Sequence, residues 1–249
     1  VKLFERLSKK LYITETGREF LEYARHITAT YHEMEQFLYH ASSQQCIHIG
    51  ASLTVGSFFL SDIITGYEAE NPNVNIRVYI DNSMNIIRKI SEGTLDVAVI
   101  EGNVKTRDVI FKDIFEDEMV LICGKTHPFA GRSSINLTDL AGKAFVLREE
   151  GSGTREFLTD LTENRGIPIV EKWICHSSDS IINIVASGQG VSILSKSLLR
   201  HHDEVNQIAI NDFPLKRSFK IVYHKDKFLS TGLRKLIAGI ENKFHSNTW

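Results

Sequence analysis

Ser83-Met-Asn-Ile-Ile-Arg-Lys-Ile-Ser-Glu-Gly93 aligns without a gap on Ser178-Asp-Ser-Ile-Ile-Asn-Ile-Val-Ala-Ser-Gly188. Serine begins both segments, an isoleucine pair recurs at 86–87 and 181–182, and glycine ends both. Counted from the serine as i, apolar residues fall in each at i+3, i+4 and i+7, the stripe of a helix covered on one side. The pattern predicts two short helices, with Ser83 and Ser178 as N-caps. Gly93 and Gly188 fall just past the C-termini, where a left-handed residue is favoured. A short apolar run follows each helix, Asp96-Val-Ala-Val-Ile100 and Val191-Ser-Ile-Leu194. Such runs suit parallel strands covered on both faces.

The surroundings of the two segments repeat as well. Upstream of the first lie a strand at 47–49, a helix at 57–70 and the alternating strand Val74, Ile76, Val78, Ile80. Upstream of the second lie a strand at 144–147, a helix at about 154–165 stopped by Gly166 and Pro168, and a strand at 169–175. Each half therefore reads βαβαβ, which predicts an α/β protein with two doubly wound subdomains. Two further apolar runs, 119–123 and 219–223, are expected to be hinge strands between them, and a final helix is expected at about 231–244. Subdomain I would comprise 46–123 and 225–249, and subdomain II 124–224. A single larger doubly wound sheet is the alternative.

Composition narrows the function classes. The chain has 249 residues, 42% hydrophobic and 24% charged, with a net charge of −2. Its pI near 6.6 is not that of a free-standing nucleic-acid binder. No apolar run approaches the ~20 residues of a membrane span, and no signal peptide is visible. Cys46, Cys123 and Cys175 are far apart in apolar settings, which predicts reduced, buried thiols and a cytoplasmic protein. There is no G-x-S-x-G elbow, no H-E-x-x-H and no Cys/His cluster with metal spacing. His201 and His202 are adjacent and do not share a helix face, and His26, His32 and His40 lie on the N-terminal helix. Neither enzyme activity nor a metal or cofactor is expected.

The first forty residues have a different character. Lys2, Arg6, Lys9 and Lys10 stand against Glu5 alone, the local positive charge that phosphate contacts require; a solvated hairpin is the plainer reading. Thr14 can cap a helix whose first turn is acidic. Along that helix, expected over 15–45, Phe20, Ala24, Ile27, Tyr31, Met34, Leu38 and Ala41 recur at steps of four and three. A heptad seam of this kind argues for a paired helix.

Leu3-Phe4-Glu5-Arg6, the basic stretch and Ile13-Thr14-Glu15-Thr16-Gly17 resemble the end of the winged helix-turn-helix of LysR-type transcriptional regulators. The long helix is similar to their dimerisation linker, and the two-lobed body to their periplasmic-binding-protein-like effector domain. The resemblance implies that residues 1–14 are the remnant of the wing, that recognition helices would precede Val1, and that Arg6, Lys9 and Lys10 contact double-stranded DNA. It also implies dimers, through Phe20, Ala24, Ile27, Tyr31, Met34 and Leu38, that assemble into tetramers.

In open α/β sheets ligands settle beyond the carboxyl ends of the strands, near helix N-termini. Four segments should converge there: Ala51-Ser52-Leu53-Thr54, Glu101-Gly102, Glu149-Glu150-Gly151-Ser152-Gly153-Thr154-Arg155, and His176-Ser177-Ser178. The third lacks phosphate-loop spacing and resembles a loop of family members that control sulfur and carbon assimilation. By that resemblance Ser52, Thr54, Glu101, Ser152, Gly153 and Thr154 are effector contacts, and Ser178 joins them through the topology. Arg155 is the one obvious cation at this rim, either structural or part of the ligand grip. The function expected is a DNA-binding regulator whose cleft takes a small anionic or zwitterionic metabolite. A stand-alone solute-binding protein is the alternative.

Overall fold

The computed structural model describes residues 1–7, 10–41, 45–102 and 106–245. These divide into two compact units, 1–45 and 46–249.

In the first unit β1 (Phe4–Leu7) and β2 (Lys10–Ile13) form an antiparallel hairpin, with Leu7 opposite Lys10. α1 (Glu15–Ala41) follows. The Thr14 hydroxyl accepts the Gly17 N–H at 2.9 Å and donates to the Lys2 carbonyl at 2.8 Å, so one side chain caps the helix and ties it to the hairpin. A Cβ on Gly17 would stand 2.1 Å from the Leu3 carbonyl oxygen, which restricts the position to glycine. Arg6 and Lys10 are exposed on the hairpin; Lys9 lies outside the described residues. Along α1, Phe20, Ile27, Tyr31, Met34 and Leu38 are all exposed and Ala24 is half-buried.

The second unit begins with β3 (Gln45–Ser52), α2 (Leu53–Phe58), α3 (Leu60–Glu70), β4 (Val74–Asp81), α4 (Ser83–Ser91) and β5 (Val97–Glu101). The long β6 (Val109–Gly124), short β7 (Ser134–Ile135) and β8 (Ala144–Arg148) come next. α5 (Gly153–Glu163), β9 (Val170–Cys175), α6 (Ser178–Ala186) and β10 (Val191–Ser195) repeat the first half. β11 (Val205–Ile210), β12 (Lys216–His224) and α7 (Thr231–His245) complete the chain.

Strand order runs β4-β3-β5-β12-β6-β10-β8-β9, with β11 on the far part of β6. Each half sets its second strand, first strand and third strand side by side, and then an antiparallel strand: β12 beside β5, β6 beside β10. Successive residues of each central strand serve opposite cores. Val97 and Val99 pack with α3 and α7, while Ala98 and Ile100 pack with α4. Likewise Met119, Leu121 and Cys123 join one core of the second half, and Val120 and Ile122 the other. None of these cores mixes the two halves, so the body is a two-lobed, periplasmic-binding-protein-like α/β fold joined through shared strands.

Three expectations need correction. Ser83 and Ser178 are the first helical residues, and the caps are one position earlier: Asn82 accepts the Asn85 N–H at 2.9 Å, and Ser177 the Ser180 N–H at 3.5 Å. The expected helix at 57–70 is two helices broken at Phe59, whose ring turns into the core. The lobe crossings lie just upstream of the apolar runs. Residues 119–123 already pair with β10, and Phe219 to Val222 already pair with β5. The chain changes lobes near Asp117–Glu118 and Leu215–Lys216, where Met119 N–H donates to the Leu215 carbonyl at 2.8 Å. The early part of β6 escaped notice because its polar side chains are held by ion pairs, Asp113 with Lys220 and Glu116 with Lys216, and form no apolar run. Gly93 and Gly188 do adopt positive φ, +72° and +81°.

Lobe I is tied to its last helix by four rings. Phe59, Phe115, Phe219 and Phe244 contact one another in every pairing, with centroids 5.4 to 6.0 Å apart. The cluster joins the α2–α3 break, β6, β12 and α7, with tilted and edge-on ring pairs and no face-to-face sandwich among them. Replacing Phe219 by Ala should cost about 3–5 kcal/mol, and urea unfolding followed by circular dichroism would measure it. A loss below ~1 kcal/mol would mean that the cluster repacks freely.

Candidate effector site

The carboxyl ends of the parallel strands of both lobes meet at the lobe boundary. From lobe I come Ser52 at the end of β3, Thr54 in the first turn of α2, and Glu101 at the end of β5. From lobe II come Ser152 at the cap position of α5 and Gly153 and Thr154 in its first turn. All of these side chains are buried. The register of the crossing strands sets Arg217 of β12 opposite Asp117 of β6 at the same place.

Arg217 holds the group together. Its Nε donates to Asp117 Oδ2 at 2.8 Å, its Nη1 to Thr154 Oγ1 at 2.9 Å, and its Nη2 to Thr54 Oγ1 at 3.3 Å. Thr54 in turn donates to Glu101 Oε1 at 3.1 Å, and Ser52 donates to Glu101 Oε2. Glu101 Oε1 lies 3.8 Å from the guanidinium, and Ser195 donates to Asp117 Oδ1 at 2.6 Å. One buried cation thus faces two buried carboxylates. Burial pushes the Asp117 carboxyl above its usual range, while Arg217 and Ser195 pull it back.

The lobes also touch through their main chains. Met84 N–H donates to the Gly151 carbonyl at 3.0 Å. A Cβ on Gly153 would stand 2.4 Å from the Glu101 carbonyl oxygen, so glycine is what lets α5 approach β5 this closely. Ser83 belongs to this contact, donating its hydroxyl to the Glu101 carbonyl at 2.7 Å.

Two buried polar atoms here have no partner among the described residues, Ser152 Oγ and Arg148 Nη1. Arg148 grips Glu149 through its Nε and Nη2 at 2.8 and 2.9 Å, which leaves the third nitrogen unused. A buried donor without an acceptor costs roughly 1–3 kcal/mol; Ser152 is the cap residue of α5 and Arg148 ends β8, both in lobe II. Arg155, expected as the rim cation, instead pairs with Glu171 at 2.8 Å and donates to the Arg148 carbonyl at 3.2 Å, within lobe II. Ser178 is half-buried in the first turn of α6, and among the described residues no hydrogen bond ties it to the Arg217 group.

Sequence reasoning missed Arg217, Asp117 and Ser195. A signal existed: Asp117 and Arg217 each stand two residues before an apolar run, Met119 to Cys123 and Phe219 to Tyr223. A pair of opposite charges at equal offsets from two crossing strands is what a buried hinge pair would look like. Among the described residues, no group of His, Cys, Asp and Glu could hold a metal ion, and no helix is long and apolar enough to cross a membrane. Changing Arg217 to Met would leave Asp117 and Glu101 buried without their cation, at a cost of about 3–5 kcal/mol in urea unfolding. A loss within ~0.5 kcal/mol would deny the guanidinium its central part.

A model of the LysR substrate binding domain matches residues 40–244. The HTH-type transcriptional regulator CysL of Bacillus subtilis (strain 168) is 30% identical over 226 residues, which cover 89% of this chain and 76% of that protein. The Synechocystis PCC6803 CcmR regulatory domain in complex with 2-PG has the same fold, with TM-score 0.75 and 22% identity over 82% of this chain and 99% of that one. So does the effector binding domain of QuiR in complex with shikimate, with TM-score 0.75 and 18% identity over 83% and 100%. With the domain matched across the body and a regulator of this type aligned along most of its length, the chain belongs to the LysR family of ligand-responsive, DNA-binding transcriptional regulators.

Proposed function

We propose that the cleft around Arg217 is the effector seat of this regulator and that Glu101 holds the place of the effector's anionic group. One observation carries the reading. Arg217, rooted in a crossing strand, reaches a hydroxyl of each lobe at once, Thr54 and Thr154. Ser52 and Thr54 now donate to the Glu101 carboxylate, as they would to a ligand carboxylate or other oxyanion. Ser152 Oγ, buried at the cap of α5, has no partner among the described residues. The shikimate bound to QuiR carries a carboxylate, which fits a seat of this chemistry.

Charge limits what enters. Beside Glu101, Asp117 and a single Arg217, a further anion is repelled unless Glu101 gives way. A zwitterion keeps Glu101 as the partner of its ammonium group. The effector is therefore a small anionic or zwitterionic metabolite, and the chain acts as a receptor rather than an enzyme. A thermal-shift screen of small carboxylates, amino acids and oxyanions identifies it. Thr154→Val and Ser52→Ala should then retain the fold but lose most of the shift, each weakening the ligand about tenfold, close to one hydrogen bond to a charged group. Glu101→Gln should strengthen a purely anionic effector and weaken a zwitterion. Parental responses from both hydroxyl variants would move sensing away from this cleft.

The first unit supplies the output. The exposed Arg6 and Lys10 of the hairpin, with Lys9, act as phosphate contacts, and the protein works on DNA in the cytoplasm as a dimer that assembles into tetramers. The stripe of Phe20, Ala24, Ile27, Tyr31, Met34 and Leu38 supports this, since Ile27 is 69% exposed on a single chain and Tyr31 56%. Apolar residues in that register are covered by a second helix. Changing Ile27 and Met34 together to Asp should lower the light-scattering mass from the assembled state towards the single chain. An unchanged mass would remove the helix from the interface.

A further inference from the structure

The expectation of buried thiols holds for Cys123 and Cys175 and fails for Cys46, which lies at the surface near the start of its strand. Burial raises the thiols of Cys123 and Cys175 above their usual range and encloses both, whereas Cys46 is exposed at the start of β3. Two residues on, and so on the same face of the strand, His48 turns its Nε2 to within 3.9 Å of Cys46 Sγ. The other ring nitrogen, Nδ1, lies 3.6 Å from Asp96 Oδ2. That carboxylate is fixed in turn: it accepts the His48 backbone N–H at 2.7 Å and is paired with Lys227. The Tyr79 ring lies beside the imidazole, 6.3 Å between centroids, and limits how far it swings. Thiol, imidazole and carboxylate are in series, each ring nitrogen turned to the group it serves.

We infer that Cys46 is a modification site, a thiol activated by His48 that exchanges with low-molecular-weight disulfides. His48 takes the Cys46 proton to give a thiolate–imidazolium pair, oriented by Asp96. The thiolate attacks one sulfur of the disulfide, so that a new S–S bond to Cys46 forms and the old one breaks. The departing thiolate takes the proton back from His48 Nε2 and leaves as a thiol. Cys46 is oxidised to a mixed disulfide and half of the reagent is reduced. A thiol reductant reverses the step. The site lies at the opposite end of β3 from Ser52 and does not depend on the cleft reading.

The chemistry is read directly with 5,5′-dithiobis(2-nitrobenzoate) on the folded chain. One thiol of three should react in a fast phase, and Cys46→Ser should abolish that phase. His48→Asn should slow it roughly three- to tenfold, because the base that takes the thiol proton is gone. Glutathione disulfide should then add one glutathione per parental chain by intact mass, and none to Cys46→Ser. A fast phase that survives Cys46→Ser, an unchanged rate in His48→Asn, or no glutathione adduct on the parent would each overturn the proposal.

Discussion

The two lobes are held in register by one guanidinium. Arg217 is buried, and a buried charge is tolerable only when its donors are matched. Its partners come from separate parts of the chain: Asp117 from the other crossing strand, Thr54 from lobe I and Thr154 from lobe II. Losing any of them exposes a desolvated donor, so the Arg217 position fixes the spacing of the strands and of both helix starts. The same bonds bring Glu101 under the hydroxyls of Ser52 and Thr54. Packing in each lobe explains why each lobe is folded, and the arginine explains why they face one another as they do.

Chain topology makes such a residue possible. Each lobe is a three-strand unit that borrows its antiparallel neighbour from a strand leaving or returning across the boundary. β6 serves β12 along one part of its length and β10 along the other. Its paired partner β12 enters lobe I beside the same boundary. Asp117 and Arg217 belong to neither core, and none of the apolar clusters crosses the changeover. A polar pair there displaces no apolar packing, which explains how Asp117 and Arg217 are accommodated between the lobes.

What the sequence disclosed follows from the same physics. The repeated helices, their terminal glycines and the strands after them were legible because periodicity and left-handed termini leave local marks. Ser52, Thr54, Glu101, Ser152, Gly153 and Thr154 came together because strand order alone brings their loops to one edge. Register and side-chain direction were not legible. Ser178 has the right loop but half faces solvent, and Arg155 has the right charge but is taken by Glu171. Arg217 reaches the site across the sheet from a strand whose partners are distant in sequence, such as Asp117, and pattern alone does not reveal that reach. The early part of β6 was hidden because ion pairs, rather than an apolar stripe, stabilise its exposed side.

The position of the proposed seat would determine how a ligand is felt. A ligand held by one lobe alone would change no angle, since its binding energy would be the same at every lobe separation. Thr54 and Thr154 belong to different lobes, and the arginine that reaches both springs from the strand next to the crossing. An acceptor that draws Thr54, Thr154 and Arg217 to new distances therefore acts on the crossing itself, with no relay through either core. Met84, Gly151, Gly153 and Glu101 already meet main chain to main chain, so further closing is blocked by backbone atoms. An incoming group that evicts Glu101 must move its carboxylate, and the Glu101 carbonyl is bound to Ser83 and pressed against Gly153. Displacement of that one side chain is thus linked to the lobe contact, and a difference of ~1–3 kcal/mol between the two arrangements is enough to shift occupancy five- to hundred-fold.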